Sequence, residues 1–139
     1  MLNLLNYFRQ GLNGSLLMRD NFRSSHNGPF KSLNPDTLLD RWHIGDFSTA
    51  EYTISIDLDV DNKEIIKVLV TATLDKASVV IYARNYTTRE LVKIDTRVNQ
   101  SYVDVLVSPA DSSTSPNPNL GAKVIFNADY YQTQTPLVS

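Results

Sequence analysis

The stretch that decides the fold is AEYTISIDLDVDNKEIIKVLVTATL, residues 50–74, in which apolar and polar side chains alternate twice over. A period of two is typical of a half-buried β-strand. Asp61 and Asn62, between the two alternating runs, favour a turn. The stretch therefore predicts two antiparallel strands joined by a short connection. The residues that share the apolar face are Tyr52, Ile54, Ile56 and Leu58 in the first strand and Ile66, Val68, Val70, Ala72 and Leu74 in the second.

Four more alternating segments follow in the chain: ASVVIYARN (77–85), LVKIDTRV (91–98), SYVDVLVSP (101–109) and AKVIFNADYY (122–131). Together they predict six strands, with a seventh if WHIGDF (42–47) pairs as well. Short alternating strands without helices between them indicate an antiparallel sandwich or barrel. We predict the sandwich, jelly-roll-like, as the fold of residues 42–139.

One connection stands out, SPADSSTSPNPNLG at residues 108–121. Its three prolines and four serines exclude a regular strand or helix. The segment predicts a long exposed loop, and loops of this length in a compact domain are usually functional or disordered.

The first 41 residues differ in character, because their apolar side chains do not alternate. Leu2, Leu5, Phe8 and Leu12 are spaced near the helical period. Asn34 as N-cap, followed by Pro35 and Asp36, predicts one short helical turn. We therefore divide the chain into an extended or short-helical arm, residues 1–41, and a β-sandwich domain. The arm has no obvious core, so we expect it to dock onto a partner through Leu2, Leu5, Phe8, Leu12 and Phe22.

Composition excludes several classes of function. A chain of 139 residues fits one domain, and the absence of cysteine excludes disulfides and thiolate sites. A net charge of −2 argues against a nucleic-acid module that works through a basic field. The longest apolar runs fall far short of the roughly 20 residues of a membrane span. The first residues also lack the pattern of a secretion signal, so we expect a protein made in a cytoplasm.

No catalytic or metal constellation emerges from the motifs. The two histidines, His26 and His43, have no nucleophile elbow G-x-S-x-G to accompany them. IDLDVDNKEI, residues 56–65, resembles the start of a calcium loop, but the twelfth position from Asp57 is Val68 and not the required glutamate. We therefore expect no metal, no cofactor and no enzymatic activity.

Tyrosines supply the alternative function. Tyr82, Tyr86, Tyr102 and Tyr131 fall in predicted strands or at their ends, where outward rings could form a platform for a host surface glycan. In that case the protein is a carbohydrate-binding module, with or without calcium at Asp57, Asp59 and Asp61. The simpler interpretation is that tyrosine favours half-buried strand positions in any sandwich.

Residues 41–138 also carry a set of longer motifs. They are W-x-I-G-x-F-[ST]-[ST]-A-E-Y at the start, then K-E-I-I-K-x-L-V, A-S-V-V-I-Y and S-Y-V-x-x-x-V-S-P-A, and A-x-Y-Y-Q-T-x-x-P-L at the end. With these motifs the chain resembles small β-rich virion structural modules of tailed bacteriophages, especially of marine cyanophages. The motifs are of a structural and not a catalytic kind.

The resemblance implies a virion protein assembled in the host cytoplasm. It would be present in multiple copies in the tail, neck or fibre region, and it would contact itself and other virion proteins. A module of this kind is carried on an N-terminal segment that docks it onto the particle, which fits the arm described above. Fibre-type phage parts commonly have cyclic symmetry, so we expect a closed homotrimer.

Overall fold

The computed structural model describes residues 8–10, 16–18, 23–28 and 31–133. Burial is described at Gly28 and from Lys31 onward. Within these residues the regular structure is entirely β. The strands are β1 (Phe8–Gln10), β2 (Leu16–Met18), β3 (Arg23–Asn27), β4 (Lys31–Ser32), β5 (Thr37–His43), β6 (Phe47–Asp57), β7 (Lys63–Ala72), β8 (Ala77–Tyr86), β9 (Val92–Asn99), β10 (Tyr102–Pro109) and β11 (Lys123–Gln132).

The strands form two antiparallel sheets. The large sheet has the order β1-β2-β3-β11-β6-β7-β8, with β4 also paired to β11, and the small sheet has the order β5-β10-β9. All six strands predicted from the alternating segments are present, so the all-β sandwich is confirmed. WHIGDF is not a single strand, because it holds the end of β5, a turn at residues 44–46 and the start of β6.

The hairpin β6–β7 follows the predicted pattern. Tyr52 lies opposite Val68 and Ile54 opposite Ile66, and all four side chains are buried. The other face of β7 carries Ile65 and Leu69, which are 45% and 44% exposed. β7 is a central strand between β6 and β8, and this second apolar face is open to solvent.

One hydrophobic core fills the space between the sheets, and an aromatic cluster occupies one end of it. The Phe47 and Tyr130 rings stack at 4.8 Å, and Trp42 meets Tyr130 edge-on at 6.4 Å. These three residues come from β6, β11 and β5, so the cluster joins both sheets. Offset and edge-on ring pairs add stabilisation beyond the apolar area that they bury.

A buried polar network crosses the same end of the core. Asp40 Oδ2 accepts hydrogen bonds from Tyr52 Oη at 2.8 Å and from Tyr130 Oη at 2.5 Å, while Trp42 Nε1 donates to Tyr52 Oη at 2.9 Å. Burial, and then the neighbouring Asp40 carboxylate, raises the pKa of Tyr52 well above its usual value. Since the bonds run from β5 to β6 and β11, the network fixes how the two sheets sit on each other.

The helical turn predicted from Asn34, Pro35 and Asp36 is wrong. Asp36 has φ +53°, and a β-turn closes between Thr37 N and Asn34 O at 3.3 Å. Thr37 Oγ1 also donates to Asn34 O at 2.7 Å, and such local bonds compete with a helix. The chain then pairs with β10 as strand β5, which buries Leu39 and Trp42. The division between residues 41 and 42 stays a prediction, but strands β4 and β5, which begin before it, belong to the sheets.

Gly28 is required by a close approach rather than by its own backbone angles. A Cβ atom at this position would lie 1.8 Å from Cε1 of Phe126. Its N–H donates to Phe126 O at 2.9 Å, so the backbone is held directly over the ring. Any side chain here would displace Phe126, which belongs to the core.

The described residues include no helix of the length and apolar character needed to cross a membrane.

Candidate functional site

A cleft of about 510 Å³ lies between β8, β9 and the segment 110–119. Its floor is apolar, with Ile81 and Ile94 among the lining residues. Charged side chains line the rest, above all Arg84, Lys93 and Asp111. The cleft is therefore built in part by the long loop that the sequence singled out.

The loop that borders the cleft is tied to the domain at both ends. Asn119 is 2% exposed, and its Oδ1 accepts from Arg89 Nε at 3.0 Å. Asn117 Nδ2 donates to Ala110 O at 2.8 Å, which closes the loop on itself. Gly121 has φ +81°. Its N–H donates to a backbone carbonyl of the segment before β5, which ties this end of the loop to the domain. The loop has a defined path, and only residues 111–116 are continuously exposed.

Glu64 is the buried anion beneath the cleft. Its Oε1 accepts from Leu91 N at 3.0 Å and from Val92 N at 3.3 Å, and its Oε2 accepts from Arg84 Nη1 at 3.0 Å. Its side chain has no exposed surface. Three donors thus hold this carboxylate, which fixes the start of β9 against β7 and orients Arg84 toward the cleft.

The charged groups at the rim of the cleft are paired with one another. Arg84 also contacts Glu90 at 3.4 Å, and Lys93 contacts Asp111 at 3.2 Å. Lys93 and Asp111 also line a second concavity of about 310 Å³, so their ion pair separates two adjacent depressions along the same loop. The cleft is therefore a groove lined by charged side chains of both signs. Its lining residues include no aromatic side chain.

The acidic stretch 56–65 forms the end of β6, a hydrogen-bonded turn and the start of β7. Asp59 Oδ1 accepts from Asp61 N, Asn62 N and Asn62 Nδ2, each at 2.9 Å. The side-chain bond from Asn62, and then the N–H of Asp61, lowers the pKa of Asp59. Asp57 is paired with Lys63 at 2.9 Å. Among the described residues no group of three or more His, Asp or Glu side chains is arranged to hold a metal.

The same turn reaches the cleft through Asn62. Its Oδ1 accepts from Thr88 Oγ1 and from Arg89 Nη1, and Arg89 in turn bonds Asn119 of the loop. The turn between β6 and β7 therefore supports the segment between β8 and β9, which carries the cationic side of the cleft.

The four tyrosines proposed for glycan binding lie on different surfaces. Tyr82 is on the outer face of the large sheet, where its Oη donates to Glu51 Oε1 at 2.7 Å. Tyr131 is on the same face in β11, separated from β8 by two strands. Tyr86 is opposite Glu64 at the end of β8, and Tyr102 is in the small sheet. The structure does not bring the four rings together.

The outer face of the small sheet carries a third buried carboxylate, Asp104. Arg41 Nε and Arg97 Nε bind its two oxygens at 2.6 and 3.2 Å. The hydrogen bond from Arg41 is the main cause of a lowered pKa of Asp104, and Arg97 adds to it. The Arg41 guanidinium also lies 5.9 Å from the centre of the Tyr102 ring, and His43 packs edge-on against that ring at 5.1 Å.

Asp104→Asn should make the protein less stable at neutral pH by about 1–2 kcal/mol, because the charge between the two guanidinium groups is lost and only one oxygen remains to accept from them. The pKa of Asp104 is lower in the folded than in the unfolded chain, where it is about 3.9. Its contribution is therefore present above the unfolded pKa and is lost as pH falls through the folded pKa. Urea unfolding at pH 7 and below pH 3 should show a difference from the native chain that shrinks in acid. The control is Asp95→Asn, on the exposed face of β9, and a gap that stays constant with pH would contradict the argument.

Several predicted residues fall outside the described side chains. Leu2, Leu5, Leu12 and Phe22 lie outside the described residues, and Phe8 is described only as part of the β1 backbone. Sequence reasoning also missed Glu64 and Asp40. Glu64 shares the parity of the buried Ile66 and Val68, which was an available signal that it points inward.

Comparisons with known proteins found no matching family and structural similarities of low score. No family model and no curated protein sequence matches the chain. One similar solved structure is the Acinetobacter baumannii phage AM24 tailspike protein, with a TM-score of 0.45 and 12% identity over 83% of this chain and 27% of that chain. Another is the Acinetobacter phage vB_ApiP_P1 tailspike protein, with a TM-score of 0.37 and 14% identity over 82% of this chain and 22% of that chain.

This chain therefore spans about a quarter of the length of the tailspikes that it matches. Both are phage tail proteins, and neither is a cyanophage protein. Likeness at these scores establishes neither a common fold nor a common function.

Proposed function

We propose that this chain is a non-enzymatic structural protein of a tailed-phage virion, present in multiple copies in the tail, neck or fibre region. The observation that carries the proposal is the motif resemblance over residues 41–138. In the opening motif, Trp42, Ile44 and Phe47 are each at most 1% exposed. The motif therefore specifies a packed sandwich core, as expected for a structural module.

The state of the buried and cleft carboxylates supports a role without catalysis. Glu64 is held by three donors and Asp104 by two guanidinium groups, and neither side chain has any exposed surface. A general acid or base must reach a substrate atom. These groups instead fasten strands to one another, so they act as structural links.

The carbohydrate-binding alternative has less support. It requires several exposed rings on one surface, and Tyr82 and Tyr131 alone share a sheet face among the four tyrosines considered. A glycan array with the full chain tests it, since specific hits that Tyr82→Ala abolishes would favour recognition over a purely structural role.

Docking through the N-terminal arm is tested by truncation. The cut must leave β3 to β5 in place, because Leu33, Leu39 and Asp40 are buried and β3 pairs with β11. We expect residues 23–139 to fold with an unchanged β-type circular dichroism spectrum but to be absent from particles that incorporate the full chain. The readout is mass spectrometry of purified particles from hosts that supply one chain or the other.

Equal incorporation of the full and truncated chains would contradict docking by the arm. The closed trimer expected for fibre-type parts stays a prediction, which the mass of the full chain in solution tests.

A further inference from the structure

Of the two edge strands of the large sheet, β1 has only three residues and β8 is the long one. It has 10 residues and pairs with β7 alone among the described strands. Its other edge therefore presents a row of backbone N–H and C=O groups without a strand to bond them. Natural proteins usually keep such edges short, charged or covered, because an open edge is a template for another strand.

The composition of β8 lacks the usual protection over most of its length. From Ala77 to Ala83 it has no charged residue and no proline. Val80 and Tyr82 are 53% and 47% exposed on the outer face, while Val79 and Ile81 pack only partly against the core on the inner face. The register shift against β7 lies beyond Ile81, so Ala77–Ile81 remains a regular ladder. A strand added here would bury apolar side chains on both of its faces.

The complementary strand must itself be apolar on both faces. The edge strands of the small sheet, β5 and β9, do not qualify. Asp40 and Arg41 lie in β5, and Lys93, Asp95 and Arg97 occupy alternate exposed positions along β9. A second copy of β8 does qualify, since it has the same length and the same uncharged composition. A twofold axis runs two identical strands antiparallel, which is the direction of every pairing in this sheet.

We propose that β8 is a self-association edge, at which two copies of this chain pair antiparallel through Ala77–Ile81. With Val79 on the twofold axis, Ser78 of one copy lies beside Val80 of the other. Val79 then lies beside Val79 of the other copy, and Val70 is the register partner of each Val79 on the opposite side, so an apolar strip runs across the joint on the inner face. The proposal rests on the proposed function in one respect, namely that the protein works in many copies.

The contact is narrow, so the isolated protein should dimerise weakly and in a concentration-dependent way. In a particle, neighbouring copies are held close together, and the effective concentration favours the same contact. An isologous contact predicts a dimer or another even number, whereas a closed trimer needs a heterologous one. The two arrangements are thus distinguishable by mass.

Sedimentation of the full chain over the micromolar range is the first test. The native chain should shift from monomer to dimer with concentration, and Val80→Lys should remain monomeric because it places like charges across the axis. Ile125→Lys is the matched control, since Ile125 is 49% exposed on the same sheet face but lies in β11. A native chain that stays monomeric or forms trimers, or a Val80→Lys variant that still dimerises, overturns the proposal.

Cross-linking is the second test. The native chain has no cysteine, so an introduced cysteine can form a disulfide only with its copy in another chain. Directly opposed residues in an antiparallel pair have Cβ atoms about 4.5–5.5 Å apart, close to what a disulfide spans. Val79→Cys should give a disulfide-linked dimer on mild oxidation, and Ile125→Cys should not. Equal cross-linking of the two variants also overturns the proposal. If the chain is incorporated into particles but its β8 strands do not pair, this inference is wrong and the proposed function still stands.

Discussion

Replacing Asp40 with alanine should lower the free energy of unfolding by about 3–5 kcal/mol, because two buried hydroxyls are left without an acceptor at about 1–3 kcal/mol each. The hydroxyls of Tyr52 and Tyr130 both donate to this carboxylate, and the N–H of Arg41 donates to its other oxygen at 2.9 Å. All of these groups would lose their acceptor inside the core, and a cavity would remain beside Trp42. Urea unfolding at 25 °C, followed by tryptophan fluorescence, measures the loss.

Two further variants make the Asp40 prediction specific. Asp40→Asn keeps one oxygen for the tyrosine hydroxyls, but its amide group meets the Arg41 N–H, so the loss should be intermediate. Asp75→Ala, in the exposed turn after β7, is the control for removing an aspartate and should change stability by less than about 0.5 kcal/mol. A loss below about 1 kcal/mol for Asp40→Ala would mean that the network does not fix the sheets.

Glu64→Ala should lower the free energy of unfolding by about 3–4 kcal/mol. It strips the acceptor from the buried N–H groups of Leu91 and Val92, and it leaves Arg84 with only the exposed Glu90 among its carboxylate contacts in the described structure. The start of β9 and the cleft wall should loosen together. Hydrogen exchange at Leu91 and Val92, measured beside urea unfolding, reports whether the loss is local to this site.

The control for Glu64→Ala is a substitution of Glu90, which contacts the same Arg84. Glu90→Ala removes the partner that is 57% exposed, and exposed ion pairs contribute at most about 1 kcal/mol. Glu64→Gln should fall between the two, because its amide oxygen still accepts from both N–H groups while the charge opposite Arg84 is gone. If Glu90→Ala costs as much as Glu64→Ala, the carboxylate beneath the cleft has no special structural role.

The strands of the sandwich were predictable because their information is local. In β6, β7 and β11 the period of two is visible in Tyr52, Val68 and Val124 and their neighbours, and burial alternates in the same phase. Strand β5 was not predictable in the same way. Its local signals at Asn34 and Pro35 favour a helix start, and the pairing with β10 that overrides them is distant in sequence.

The polar sites of the core were harder to predict for a similar reason. Asp40 is acidic, and its partners Tyr52 and Tyr130 lie 12 and 90 residues away. Nothing near it in the sequence shows that a buried acceptor is needed. The cleft depends in the same way on Arg89 and Asn119, which only the folded loop brings together. The loop could be predicted from its prolines and serines, but its partners could not.

Together these features describe a small sandwich whose buried charges fasten strands and whose uncharged edge is open. That combination suits a part that is held in place by neighbours, which is the role proposed for it in a virion. The motif resemblance is the basis for the proposed place in a virion, and the edge of β8 is the surface through which we propose that copies meet.

The most direct measurement is a cryo-EM reconstruction of the intact virion to which the proposed function assigns this chain. The account predicts several symmetry-related copies of the two-sheet sandwich in the tail, neck or fibre region, with the segment before β3 in contact with a larger virion protein. Purified particles that contain no copy of the chain, shown by an empty map and by mass spectrometry, would contradict it.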